Sequence, residues 1–446
     1  MPTNCFRQPA GSASDHLGQR FRAGDVRVES PASRDNRAAL APLNMMDPQA
    51  LGALAGTHSL LLQLVEDLPA RDTNRCFDPQ LPSAGWLLGR AVYLELHLLR
   101  SVVMQDDDLA ARVRHLFDDE LRPPADTEAL LPPQDHLLNW AAEVFDQHLI
   151  WLANPGRLPS HPLLENSWLI WHLAQRHALL YERLLALRTA RSADERSEHL
   201  VREVLQARPA RVESVRIEQG HYRVGAREGA VMHHEAPAQI VELHAYRICR
   251  HPVSNAEYLS FMLDDGYRHD DWWDLPGREW RDACQASAPW QWRRDTAGHW
   301  YGCGTNGAMD LHADDPVSGL TAHEARAYAA WASACIDGLA GAVPQHEYQW
   351  EVAARIGEIE SIGRSWEWCA NSFHVYPDYQ APTDPQLAPC ASPGDTVTLR
   401  GACLHTQPVL RRSTFRLCAP PQQRTLFAGT RLVLPPGKAA WEQLPS

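Results

Sequence analysis

The segment SWLIWHLAQRHALLYERLLALR, residues 167–188, carries two imidazoles, His172 and His177, the side chains best suited to hold a transition metal near neutral pH. Leu169, Trp171, Leu173, Leu179, Leu180, Leu184 and Leu185 recur at helical spacing, and neither Gly nor Pro interrupts them. The two histidines are five positions apart. At roughly 100° per residue they point about 140° away from each other. Two ligands on one helix normally sit four apart, one turn up the same face. This spacing places one histidine near a helix-bundle interior and the other at its rim.

The elements that must position these residues lie between about Asp47 and Arg196. ALGALAGTHSLLLQLVEDL, AGWLLGRAVYLELHLLRSVVM and HLLNWAAEVFDQHLIWLA precede the quoted helix, joined by polar, Pro-containing loops such as LRPPADTEALLPPQ and ANPGRLPSHP. Four amphipathic helices so joined predict an antiparallel bundle over 46–200. Residues 1–45, rich in Ser, Gly, Arg and Asp without an apolar core, predict a disordered leader and no secretory signal. Beyond about Glu203 the pattern changes to short alternating runs, VRIEQGHYRVG and IVELHAYRI, with many Trp, Gly and Pro residues. Only EARAYAAWASACI and HEYQWEVAARI read as helices there. The fold class is α+β: a helical bundle followed by a loop-rich domain whose tryptophans supply much of the core.

At 446 residues the chain has room for two or three domains. No run of 18 apolar residues occurs, so no membrane span is expected. A net charge of −13 argues against nucleic acid or an anionic membrane as partner. Ten cysteines, without a Cys-x-x-Cys pair, suit reduced thiols in the cytoplasm.

Several stretches of the second half carry a resemblance. VMHHEAPAQIVELHAYRICRHPVSNAEYLSFMLDDGY, DPVSGLTAHEARAYAAWA, VPQHEYQWEVAAR, GRSWEWCANSF, LRGACL and FAGTRLVLP follow the order of the formylglycine-generating-enzyme, or sulfatase-modifying-factor, domain, which has a C-type-lectin-like fold. The resemblance spans 210–436. Behind a DinB-like bundle, this arrangement resembles the iron-dependent sulfoxide synthases of ergothioneine and ovothiol biosynthesis and the related selenoneine synthases. LPSAGWLLGRAVYLELHLLR is similar to their stretch with a Trp and, four residues on, a metal-ligand His.

The resemblance implies three bundle histidines around Fe(II), with hercynine, O₂ and a thiol donor meeting beneath the second domain. Carried over position by position, the first ligand falls on Arg90, counted from Trp86, and the family's His-x-x-x-His falls on Leu173 and His177. Arginine stays protonated and cannot ligate iron. Only His177 matches, and Fe(II) retained at this triad is expected to be well under one per chain. His97, His148 and His172 are the candidates for a shifted triad. The family's Asn-Trp-Asp after Phe-Arg is replaced, since Phe415 and Arg416 precede Leu417, Cys418 and Ala419, and its tyrosine-bearing loop is replaced by QAPTDPQLAPCASPGD. The paired copper-binding cysteines of the formylglycine branch are also missing: Cys403 follows Arg400-Gly401-Ala402, and the next cysteine is Cys418. Trp350, Trp366 and Trp368 are expected in the core.

These departures lead to a non-catalytic or repurposed protein whose cleft takes a small carboxylate or phosphate, with Arg90, Arg176, His177 and Arg416 as its binding residues, or to a structural partner of an active paralogue. Arg90 could instead pair with Glu95 or Glu182 and fill space. The alternative is an active iron(II)- and O₂-dependent synthase forming carbon–sulfur or carbon–selenium bonds on hercynine with rearranged ligands.

Overall fold

The computed structural model describes residues 46–118, 126, 128–195, 199–227, 229–388 and 394–436. The leader expected over 1–45 lies outside the described residues. Five α-helices open the chain: α1 (Pro48–Glu66), α2 (Ala84–Glu95), α3 (Asp108–Phe117), α4 (Gln134–Ala153) and α5 (Trp168–Asp194). Helices α1, α2, α4 and α5 are the four read from apolar periodicity, and α5 packs against both α1 and α2. α2 runs without a break into a π-helical segment, Leu96–Val103. The wider turn rotates the side chains that follow Glu95, a distortion that recurs at functional sites. Helix α3 was not expected. Its sequence is mostly polar, and only Ala110 and Phe117 are buried.

The second half has β1 (Ser214–Ile217), β2 (Gly220–Val224), β3 (Gln239–Leu243), β4 (Tyr246–Cys249), α6 (Asn255–Leu263), α7 (Leu275–Cys284), β5 (Trp292–Arg294), β6 (Trp300–Gly304), β7 (Gly307–Asp310), α8 (Ala322–Cys335), β8 (Val343–Pro344), α9 (Glu347–Ile356), β9 (Trp366–Ser372), β10 (Val397–Arg400), β11 (Leu417–Ala419), β12 (Ala428–Thr430) and β13 (Leu432–Leu434). Two four-stranded sheets, ordered β1-β4-β13-β8 and β11-β10-β9-β12, share the turn at Arg431. Pairing is antiparallel except between β9 and β12. The fold is α+β, as read from the sequence.

Helices α6 and α7 correct the expectation of two helices here. Each is short, but each has a strong start. Ser254 and Glu257 form a capping box on α6, while Asp274 caps α7 with a proline in its first turn.

One apolar core crosses from the bundle into the second half, joining Trp86, Leu94, Leu173 and Leu180 to Trp366, Trp368, Leu399 and Phe415. Trp350, Trp366 and Trp368 are fully buried. Around them run the buried ion pairs Arg431–Glu367, Arg400–Glu351 and Arg416–Glu347. Such charges are tolerated because each guanidinium also donates to backbone carbonyls, as Arg431 does to Cys249 and Glu360. Among the described residues, no helix is long and apolar enough to cross a membrane.

Candidate functional site

A cavity of about 330 Å³ lies where α2 and α5 meet the second half. From α2 come Trp86, Arg90 and Leu94, and from α5 Arg176, Leu179, Leu180, Glu182 and Arg183. The opposite wall includes Met232, His234, Phe415, Arg416 and Cys418. Four guanidiniums thus face this space and one carboxylate, Glu182. The spacing explains the α5 contribution: Arg176, Leu179, Leu180 and Arg183 recur at intervals of three or four on one helix face.

Each charged group is held by a specific partner. Arg90 Nη1 donates to the Phe117 carbonyl at 2.9 Å and Nη2 to Gln386 Oε1 at 2.5 Å. Arg176 Nη1 donates to the Ala388 carbonyl at 2.9 Å. Arg416 makes a bidentate pair with Glu347 at 2.7 and 2.8 Å. Glu182 Oε2 accepts from Trp366 Nε1 at 2.9 Å and lies 3.6 Å from Cys403 Sγ. Burial pushes the Glu182 carboxyl above the ordinary carboxylate range, against those hydrogen bonds. His234 donates Nε2–H to the Arg416 carbonyl at 2.7 Å, and burial brings its imidazole down to about 4.

The structure brings Arg90, Arg176 and Arg416 to this one cavity. His177 does not line it. Its side chain faces the bundle interior, where Nε2 lies 3.2 Å from the Ala91 carbonyl and Nδ1 lies 3.7 Å from Glu95 Oε1. Expecting His177 as a second donor to a cleft ligand is therefore corrected: about 100° around α5 from Arg176, it turns from the cavity into the bundle. Of the two carboxylates expected as partners of Arg90, Glu95 is taken by His58 Nε2 at 2.5 Å and His148 Nδ1 at 2.9 Å, and Glu182 by Trp366.

The shifted triad does not assemble. His97 pairs with Asp384 at 2.7 Å, while His148 joins Glu95. His172 stacks on Trp168 with neither ring nitrogen hydrogen-bonded. Burial drives the His172 imidazole well below its ordinary range. What the described residues do gather is His58, Glu95 and His177, whose ligand atoms lie within 4.8 Å of one another. Burial works against the Glu95 charge, yet His58 and the His148 hydrogen bond hold its carboxyl below the ordinary range. Sequence reading missed His58, a lone histidine in an apolar helix face, because the pairing of helices is not written in the spacing along any one of them.

The segment after Tyr379 completes the picture. In it Asp384 meets His97, Gln386 meets Arg90 and Asp118, and Ala388 meets Arg176. It therefore closes over Arg90, the α2 position that the resemblance assigns to iron, and over Arg176 on α5.

Comparison with known proteins follows this geometry. Residues 201–364 match the sulfatase-modifying factor enzyme 1-like domain. The chain is 28% identical over 250 residues to a hercynine oxygenase of Mycobacterium tuberculosis, covering 46% of this chain and 56% of that one. It is 30% identical over 250 residues to a hercynine oxygenase of Mycolicibacterium thermoresistibile, covering 46% of this chain and 54% of the other. The chain spans little more than half the length of these curated relatives. Among solved structures, PvdO from Pseudomonas aeruginosa aligns with a TM-score of 0.35 at 16% identity, over 53% of this chain and all of that one. The chain thus carries a sulfatase-modifying-factor-type domain and is related in sequence to hercynine oxygenases.

Proposed function

We propose that this protein keeps the cleft of a hercynine-oxygenase-like ancestor but not its iron chemistry, and binds a small carboxylate- or phosphate-bearing molecule there. The observation that carries this reading is the Arg90–Gln386 hydrogen bond. Where the resemblance asks for an imidazole, a guanidinium is pinned by a loop side chain and by the Phe117 carbonyl. A metal cation does not fit beside a permanent positive charge, and Leu173, buried and aliphatic, offers no ligand.

What the cleft offers instead is charge and shape. Arg90, Arg176 and Arg183 outnumber the single lining carboxylate, whose ionisation burial opposes, while Arg416 is already paired with Glu347. The volume suits a molecule of amino-acid size, with Leu179, Leu180 and Phe415 for its apolar part. Anion recognition by guanidinium is directional and persists in a partly dry site. The eight free cysteines among the described residues suit a reducing compartment, which supports a cytoplasmic setting.

The alternative, an active carbon–sulfur or carbon–selenium synthase with rearranged ligands, needs its metal to face the substrate. His58, Glu95, His148 and His177 are all buried, and none lines the cavity.

A calorimetric screen of hercynine, amino acids, sugar phosphates and inorganic phosphate tests the proposal. Loss of a charge-assisted hydrogen bond costs on the order of 2 kcal/mol, so Arg176→Leu or Arg183→Leu should weaken a true cleft ligand roughly thirtyfold. Equal affinity in wild type and both variants places binding elsewhere and removes the support.

A further inference from the structure

We propose that His58, Glu95 and His177 bind one divalent first-row transition-metal ion, zinc being the best match, inside the bundle and away from the cleft. The three residues come from α1, α2 and α5, and α4 adds His148 behind them. Such an ion would therefore tie all four long helices together.

Hydrogen bonding identifies the donor atoms. His177 Nε2 faces the Ala91 carbonyl, an acceptor only, so that nitrogen carries the proton and Nδ1 presents a bare lone pair. Among the described residues Nδ1 has no hydrogen-bond partner, and Glu95 Oε1, another acceptor, lies 3.7 Å away. Two lone pairs converging in a fully buried site call for a cation or proton between them. His58 Nε2 reaches the same oxygen. The three atoms thus converge on one point from three helices.

The surroundings fit the pattern of protein metal sites. Ligating histidines usually donate their second N–H to a carbonyl or carboxylate, and ligating carboxylates are themselves hydrogen-bonded. Here Ala91 supplies the carbonyl for His177, and His148 Nδ1 holds Glu95 Oε2 at 2.9 Å, while His58 Nδ1 has no such partner among the described residues. Phe145 stacks on His58 with ring centroids 3.9 Å apart, fixing the ring and excluding water. Around a tetrahedral zinc with bonds near 2.0–2.1 Å, donor atoms stand about 3.3 Å apart. The 2.5 Å His58–Glu95 and 3.7 Å His177–Glu95 separations bracket that spacing, and all three ligand atoms lie within 4.8 Å of one another, so the side chains reach the ion after local adjustment. Two imidazoles and a carboxylate suit zinc and its neighbours over magnesium or calcium. Because none of the ligands lines the cavity, the ion's role is to brace the bundle. This site shares His177 with the triad implied by resemblance but replaces its other two members.

Full-length protein stripped with a chelator and titrated with Zn(II), then with Co(II), tests the site. One equivalent should bind, Co(II) should give the visible d–d absorption of a nitrogen–oxygen site, and Zn(II) should raise the melting temperature. Arg90→Leu should keep the full equivalent. His148→Gln should weaken binding roughly ten- to hundredfold as an outer partner, and Glu95→Gln and His58→Phe should weaken it more. Binding of less than a tenth of an equivalent by wild type overturns the proposal, as does unchanged affinity in Glu95→Gln. If those variants fail to fold, the wild-type stoichiometry and cobalt spectrum still decide the matter.

Discussion

Arg90 and Gln386 stand 296 positions apart in the chain and meet through a 2.5 Å hydrogen bond between Nη2 and Oε1. Gln386 in turn donates to Asp118 at 3.1 Å, and Asp118 accepts from Tyr93 at 3.1 Å. The guanidinium on α2 and the loop that covers it are therefore parts of one buried network.

This network sets the first expected outcome. Gln386→Leu removes the side-chain acceptor of Arg90 Nη2 and one of the donors to Asp118. Hydrogen bonds to charged groups are worth about 1.5–3 kcal/mol. Urea unfolding should show a loss of about 2 kcal/mol at unchanged slope. A variant as stable as wild type would mean that the pair merely fills space.

How much of this was legible in the sequence differs by level. The four long helices were, because their apolar positions recur over four or more turns. Helices α6 and α7 were not, since their starts are marked by a capping box and an Asp cap that had to be weighed alone. The change at Arg90 was legible because Trp86 fixed the register of a motif. The His58–Glu95–His177 group was not: each residue sits on a different helix, and only packing decides which faces meet.

Glu182 offers a test by pH. Its folded pKa is raised, chiefly by burial, so the folded state holds this proton more tightly than the unfolded chain. By linkage its contribution is most favourable in acid and is lost as pH rises through the folded value. Glu182→Gln should gain stability relative to wild type as pH climbs out of the carboxylate range. Parallel stability curves for the two proteins across that window would remove burial as the controlling cause.

His234 works in the opposite sense. Burial lowers its pKa from 6.5 to about 4, so the unfolded chain takes up a proton that the folded state refuses. Stability present above pH 6.5 should fall as pH drops towards 4, by about 3 kcal/mol from this group at about 1.4 kcal/mol per unit. His234→Gln can still donate to the Arg416 carbonyl and should flatten that part of the profile. An unaltered acid limb would assign the loss to other groups.

The shared core predicts a single scattering body. Trp366 reaches Glu182 on α5, and Arg412 reaches Gln175 at 2.5 Å, so the two halves are joined by buried polar bonds as well as apolar surface. Small-angle scattering should fit one compact particle over residues 46–436. Curves that require two bodies moving independently would leave the cleft without a fixed opposite wall.

The most direct measurement of the central claim supplies hercynine, cysteine, Fe(II) and O₂ to the full-length protein and follows oxygen uptake with mass analysis of products. With Arg90 and Leu173 at two of the three positions that resemblance assigns to iron ligands, oxygen uptake should equal the protein-free control and no carbon–sulfur product should form. A sulfoxide of hercynine and cysteine made in proportion to protein, and lost in His177→Gln, would contradict the account and restore an iron-dependent synthase.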